Sequence, residues 1–134
     1  MELPWLSRWL PQLLALLRIV TGLLFLEHAT SKFLAFPVPF PVHPLPPMLL
    51  AAGVTELVAG VLITLGLFTR LAAFIASGEM AVAYFMVHFR MGFWPVVNKG
   101  EAAVLFCFIF LYLAAAGAGA WSIDETRLRN ARIR

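Results

Sequence analysis

Charge is scarce in this chain. Asp, Glu, Lys and Arg make up 13% of its 134 residues, about half the share usual in soluble domains. A freely soluble globular fold is excluded, because a domain this small could not hide a composition that is 62% hydrophobic. Disorder, which needs low hydrophobicity and high net charge, is excluded too. Cysteine is nearly absent: Cys107 stands alone. No internal disulfide and no Cys-x-x-Cys relay can form, and Cys107 in its apolar run reads as a small buried hydrophobe. There is no Glu-x-x-His pair of the di-iron bundles. There is no phosphate loop, no dinucleotide fingerprint and no serine elbow. No metal site is expected.

What the chain has is long apolar runs, with a mean hydropathy of +0.90. Lipid is its solvent, and the bilayer is its first partner. Four segments approach the spanning length of about 20 residues: residues 10–33, 48–68, 71–89 and 102–121. They are far longer than barrel strands. The expected fold is therefore all-α, an integral membrane four-helix bundle forming one domain over residues 1–134. Residues 1–30 lack a basic n-region and an Ala-x-Ala site, so they read as part of the bundle and not as a signal peptide. Trp5, Arg8 and Trp9 form an interfacial lead-in. Residues 34–47 hold six prolines and form a stiff outer loop. It either lies on the membrane surface, caps the bundle, or simply connects.

Orientation follows from the basic residues. Arg8, Arg18, Arg70, Arg127, Arg129, Arg132 and Arg134 fall on one side; Lys32, Arg90 and Lys99 fall on the other. Seven against three places both termini inside, N-in/C-in, in a bacterial-type inner membrane. The basic tail, residues 122–134, reads as a cytoplasmic membrane anchor, and no nucleic-acid partner is expected. Arg18 is counted here as one more inner-side charge.

Ionisable groups within spans are costly, at roughly 2.5–3.5 kcal/mol for a charge at mid-span, and mark function by default. Each span carries one acid: Glu27, Glu56, Glu79 and Glu101. At 1.5 Å per residue, Glu27 lies about 9 Å, Glu56 about 12 Å and Glu79 about 15 Å from the outer ends of their spans, with Glu101 shallow. His28, Lys32, His88, Arg90, Asn98 and Lys99 share this outer half, while the inner half holds little beyond hydroxyls such as Thr21 and Thr64. An outward-facing polar pocket is expected. Helical spacing puts Thr21, Phe25, His28 and Lys32 on one stripe, Gly53, Glu56, Gly60 and Thr64 on a second, and Ala72, Ala76, Glu79 and Ala83 on a third. These stripes read either as pocket walls or as packing seams with glutamate clasps. Buried charges persist only when paired, so at least one glutamate should keep its proton, and Glu79 is the deepest.

Several segments together resemble the DoxX family. They are Thr21-Gly22-Leu23-Leu24-Phe25-Leu26-Glu27-His28 with Lys32-Phe33, Glu56-Leu57-Val58-Ala59-Gly60, and Leu65-Gly66-Leu67-Phe68-Thr69-Arg70-Leu71-Ala72-Ala73. His88, Gly100-Glu101-Ala102-Ala103 and Gly117-Ala118-Gly119-Ala120-Trp121-Ser122-Ile123-Asp124 complete the set. The order is kept over nearly the whole chain. The chain departs at Ala29, where glycine commonly follows the histidine, and in its proline-dense loop. The resemblance implies a four-helix inner-membrane protein of the kind linked to thiosulfate:quinone oxidoreductase and to membrane complexes handling sulfur and oxidative stress. It marks His28, Lys32, Glu56, Arg70, His88 and Glu101; Arg70, at the inner turn, reads as a lipid anchor.

Three functions are in play. In the first, the chain is a redox subunit holding a quinone between helices. Glu56, Glu79 and His88 are then proton-relay candidates, and His28, Lys32, Glu27 and Glu101 line the quinone or small-molecule pocket. The electrons would come from a soluble or membrane redox partner. In the second, the chain is a structural or assembly subunit and the polar cluster locks helices. In the third, it is a small-solute transporter, which would need a homo-oligomer to supply a polar path.

Overall fold

The computed structural model describes residues 3–133; Arg134 of the basic tail lies outside them. Every regular element among these residues is helical. A short α1 (Pro4–Ser7) leads into α2 (Leu10–Leu34), followed by α3 (Pro47–Leu65) and α4 (Thr69–Ala83). α4 runs on through a π turn, Tyr84–His88, and a 3₁₀ turn, Phe89–Met91. Then come α5 (Pro95–Asn98), α6 (Glu101–Ala116) and α7 (Ile123–Arg132). Leu10–Leu34, Pro47–Leu65 and Thr69–Met91 are long and apolar enough to cross a membrane. α6 is apolar but shorter, with 16 residues, or about 24 Å.

Two expected spans end early, for local reasons. α3 stops at Leu65 because Gly66 turns left-handed at φ 68°, the usual way to end a helix. α6 stops at Ala116, because Gly117 (φ 91°) and Gly119 (φ 68°) lead the chain into an irregular linker. Residues 117–122 therefore do not belong to the fourth helix.

α2 packs along α3, α4 packs along α6, and α3 joins α4. Small residues bring the helices close. A Cβ at Gly22 would meet Thr64 Oγ1 at 2.5 Å, and one at Gly60 would meet Leu26 at 3.2 Å. The core holds Phe25, Ile63, Phe110 and Leu113, fully buried, over a floor of Ala72, Ala73 and Ala76. Phe25 and Phe110 pack edge to face at 4.8 Å and join α2 to α6. The outward faces carry exposed Leu16, Val20, Phe74, Ile75, Leu105 and Phe108, the pattern of a protein solvated by lipid.

The end opposite Lys32 is not the hydroxyl-only region expected. Arg18 is wholly buried there. Its Nε donates to Ala118 O at 2.8 Å, Nη1 to Ile63 O (2.8 Å) and Thr64 O (2.5 Å), and Nη2 to Ala120 O (3.3 Å) and Trp121 O (3.0 Å). A helix end leaves its last carbonyls unpaired; Arg18 fills that need for α3 and for the linker after α6 at once. The expected surface charge is thus an internal clamp. Arg70, exposed at the start of α4, serves a helix end as well. It donates to Ala114 O (3.2 Å), Ala115 O and Ala116 O (3.4 Å), the open carbonyls of α6.

The tail is folded onto the same end. Ser122 Oγ accepts from Glu125 N at 3.1 Å, an N-cap for α7. The Asp124 carboxylate accepts from the amides of Phe68 and Thr69 at 2.9 Å each, closing the start of α4. Burial alone would raise the Asp124 carboxyl, but these two amides and the nearby Arg127 charge outweigh it and hold it below its ordinary value.

Replacing Arg18 by Leu would leave five carbonyl contacts without a donor. At roughly 1–3 kcal/mol for each acceptor left unsatisfied, Arg18→Leu should lower stability by at least about 3 kcal/mol, measured by unfolding in mixed micelles. Arg18→Lys should recover part of the loss.

Candidate functional site

Three spanning helices each deliver one ionisable side chain to the same layer. Lys32 comes from the last turns of α2, Glu56 from the middle of α3 and Glu79 from α4. The predicted stripes hold except at His28, which is exposed: Thr21, Phe25 and Lys32, Gly53, Glu56 and Gly60, and Ala72 and Ala76 face inward. Lys32 Nζ reaches both oxygens of Glu56, at 2.7 and 2.6 Å. The two side chains are only 5% and 4% exposed. A bidentate contact of this kind is what a buried ion pair needs to offset the loss of water.

Glu79 is different. Both of its carboxyl oxygens are buried and neither has a hydrogen-bond partner. The charges that act on it are those of Glu56 and Lys32. Lys32 is already committed to Glu56, so Glu79 faces a pair whose net charge is zero. A lone carboxylate in that position is strongly disfavoured against the protonated acid.

The proline loop is more than a connector. The Phe40 amide donates to Ser31 O at 3.2 Å, and the Phe40 ring lies 5.0 Å from Lys32 Nζ. The loop therefore folds back and covers the ion pair with an aromatic face, a contact favourable to a cation. Below the pair is an aromatic layer of Phe25, Phe106 and Phe110. His28 sits at its margin, edge-on to Phe106 at 5.8 Å, and is exposed. His28 Nδ1 lies 3.1 Å from Leu24 O. A carbonyl only accepts, so Nδ1 carries a proton, and Nε2 is an acceptor wherever that is the ring's single proton.

Not every expected site residue joins this layer. Glu27 is exposed on the far face of α2. Glu101 is exposed in the first turn of α6, where an acid favours the positive end of the helix. His88 belongs to a second cluster. Its Nδ1 contacts Asn98 O at 3.0 Å and its ring stacks on Tyr84. Asn98, wholly buried, is the hub: Nδ2 donates to Gly92 O (2.7 Å) and Tyr84 Oη (3.2 Å), and Oδ1 accepts from Gly100 N (2.8 Å). Tyr84 in turn donates to Phe93 O. This network fixes the loop between α4 and α6 and makes no hydrogen bond to Glu56 or Glu79.

Phe40, Asn98, Arg18 and Arg70 contribute in ways the sequence reading did not assign: Asn98 stood there by depth alone, and Arg18 and Arg70 as inner-side charges. Arg18 carried a usable signal. It is a charge inside an apolar run, and the rule that singled out the four glutamates applies to it equally. Phe40 carried none, because the fold-back of its loop depends on where Lys32 ends up.

The chain matches the DoxX family over residues 13–89. It belongs to that family. The matched DoxX segment spans α2, α3 and α4, and so contains Lys32, Glu56 and Glu79 together, whereas α6 and Glu101 lie beyond it. The chain is also similar to an uncharacterized protein of Haemophilus influenzae (strain ATCC 51907 / DSM 11121 / KW20 / Rd), with 47% identity over 127 residues, 89% of this chain and 93% of that protein. No solved structure matches this DoxX chain.

The pairing energetics can be separated by mutation. Lys32→Met strands the Glu56 carboxylate and should lower stability by about 3–5 kcal/mol. The double variant Lys32→Met/Glu56→Leu removes both charges and should regain most of that loss. Unfolding of the four proteins of this cycle in one detergent measures both effects.

Proposed function

We propose that this DoxX-family protein is a subunit of a quinone-linked redox system in a bacterial inner membrane, with Glu79 as its proton-holding group. α2, α3, α4 and α6 form its four-helix membrane bundle, one domain, and both termini are cytoplasmic. The orientation rests on the basic residues: Arg8, Arg127, Arg129 and Arg132 are exposed at the Arg18 end, the side that arginine favours. The bacterial setting rests on the Haemophilus relative.

The observation that carries the reading is Glu79, a carboxyl buried without a partner beside an ion pair. A protein that needed only stability would pair such a group or replace it. A quinone supplies two-electron chemistry that takes up protons. The residues present fit that task. Glu79 holds a proton away from water, beside the Lys32–Glu56 ion pair. Phe106, half-buried beside His28, offers a flat apolar wall, and His28 Nε2 offers an acceptor suited to a ring hydroxyl. His28 thus favours the reduced form of the ligand.

One second reading has an observation of its own. The bidentate Lys32–Glu56 contact ties α2 to α3 and suits a structural or assembly subunit equally well.

Organic extraction of protein purified in mild detergent, with mass spectrometry of the extract, separates the two. The redox reading expects near-stoichiometric quinone, reduced severalfold by Glu79→Gln or His28→Ala in folded protein. Bulk lipid alone from a well-folded sample would contradict it and leave the clasp as the function of the pair.

A further inference from the structure

A cavity of about 700 Å³ lies at the Arg18 end, between the start of α4, the linker after α6 and α7. Four charges line it: Arg70, Asp124, Glu125 and Arg127. Two already have partners. The Asp124 carboxylate holds the Phe68 and Thr69 amides. Arg70 gives three of its N–H donors to α6 carbonyls, and a guanidinium has two more to offer. Glu125 and Arg127 are exposed, and among the described residues no hydrogen bond or ion pair reaches either side chain. The Arg127 guanidinium rests over the Phe68 ring at 5.4 Å, with its N–H donors open. The cavity therefore offers free charge of both signs, and its own four charges cancel. Its other walls are apolar, and two of them, Phe68 and Leu71, also line a second groove of about 360 Å³ between α3 and α4. That groove runs past Leu62 and Val58 to Thr55, seven residues of α3 or about 10 Å along the bundle. The Thr55 hydroxyl is turned back to Ala51 O at 3.1 Å, so the groove presents hydrocarbon alone. Leu71, Val58 and Ile75 open it to the exposed apolar surface.

We propose that the cavity and the groove together hold one zwitterionic aminophospholipid. Its phosphate meets Arg70 and Arg127, its ammonium meets Glu125, and one acyl chain lies between α3 and α4. The charge pattern selects the headgroup. Guanidinium donors suit the phosphate oxygens, and a primary ammonium, which has donors and no acceptor, suits the free Glu125 carboxylate. A purely anionic headgroup would set its charge beside Asp124 and Glu125 and bring no donor for either. A choline headgroup has the positive charge but no N–H to donate. Gly117 makes room on the phosphate side. At φ 91° it carries the linker close past Arg70, where a Cβ would meet Nη2 at 3.1 Å. The groove selects a lipid over a free phosphoamine. Within a bilayer its walls pack a hydrocarbon chain, and that chain tethers the headgroup at high local concentration over the cavity.

The inference does not depend on quinone binding. Its test uses the full chain, purified in mild detergent, freed of lipid and mixed with equimolar phosphatidylethanolamine, phosphatidylglycerol and phosphatidylcholine. Native mass spectrometry then counts the lipid retained. The wild type should keep phosphatidylethanolamine about tenfold over either competitor, the preference that one charge-assisted hydrogen bond supports. Glu125→Gln, at an exposed and unpaired position, should bring that preference to within about twofold. Arg127→Gln should lower retention of all three lipids severalfold, because all three carry the phosphate. Val58→Trp, which fills the groove, should do the same. Water-soluble phosphoethanolamine should not displace the bound lipid. Thermal unfolding confirms that each variant is folded. Equal retention of the three lipids would overturn the inference, as would a preference for phosphatidylglycerol or a preference that survives Glu125→Gln. Displacement by phosphoethanolamine, or full retention in Val58→Trp or Arg127→Gln, would overturn it too.

Discussion

Inside hydrocarbon a polar group has only its protein neighbours in place of water, and this chain meets that constraint at both ends of one helix. α2 carries Arg18 near its start and Lys32 near its finish, and both are buried. Arg18 is spent on backbone. It supplies donors to the carbonyls that α3 and the linker after α6 leave open, so the irregular linker can exist at that depth at all. Lys32 is spent on Glu56, and the proline loop is drawn over the pair by Phe40. The packing of α2 on α3 between these two points, with Gly22 and Gly60 at the contact, is held from both sides by cations. The tight turn between α3 and α4 depends on the same economy, through Asp124 and the amides of Phe68 and Thr69.

Against that background the unpartnered carboxyl of Glu79 is the exception. Every other buried charge among the described residues, Arg18, Lys32 and Glu56, has a specific acceptor or donor at 2.5–3.3 Å. Both Glu79 oxygens are buried, and among the described residues no hydrogen bond reaches them. A carboxyl left in that state favours the protonated acid, and the proposed redox role rests on that observation.

Much of this was legible in the residues. Hydropathy located the spans, and the 3.6 period put Lys32, Glu56 and Glu79 on inward stripes, because one face of each helix must meet its neighbours whatever the loops do. The helix ends were less legible, since Gly66 and Gly117 stop the helix inside stretches that remain apolar. Adjacent residues were the main source of error in the site. Glu27 and His28 share a depth, but 100° of rotation separates them, and only His28 is on the core's margin. His88 was grouped with the glutamates by depth and by resemblance, whereas its ring bonds to Asn98 O. Arg18 was read by its side of the membrane and not by its surroundings; the carbonyls it serves come from residues 63–64 and 118–121, which no local pattern connects to it.

The central claim is that Glu79 holds a proton because it is buried without a counter-charge. Infrared spectra of the protein in lipid at pH 7 test this most directly, comparing the wild type with Glu79→Gln and Glu56→Gln. The account predicts a protonated-carboxyl band in the wild type that Glu79→Gln removes and Glu56→Gln leaves in place. A wild-type spectrum without such a band, or a band indifferent to Glu79→Gln, would contradict it.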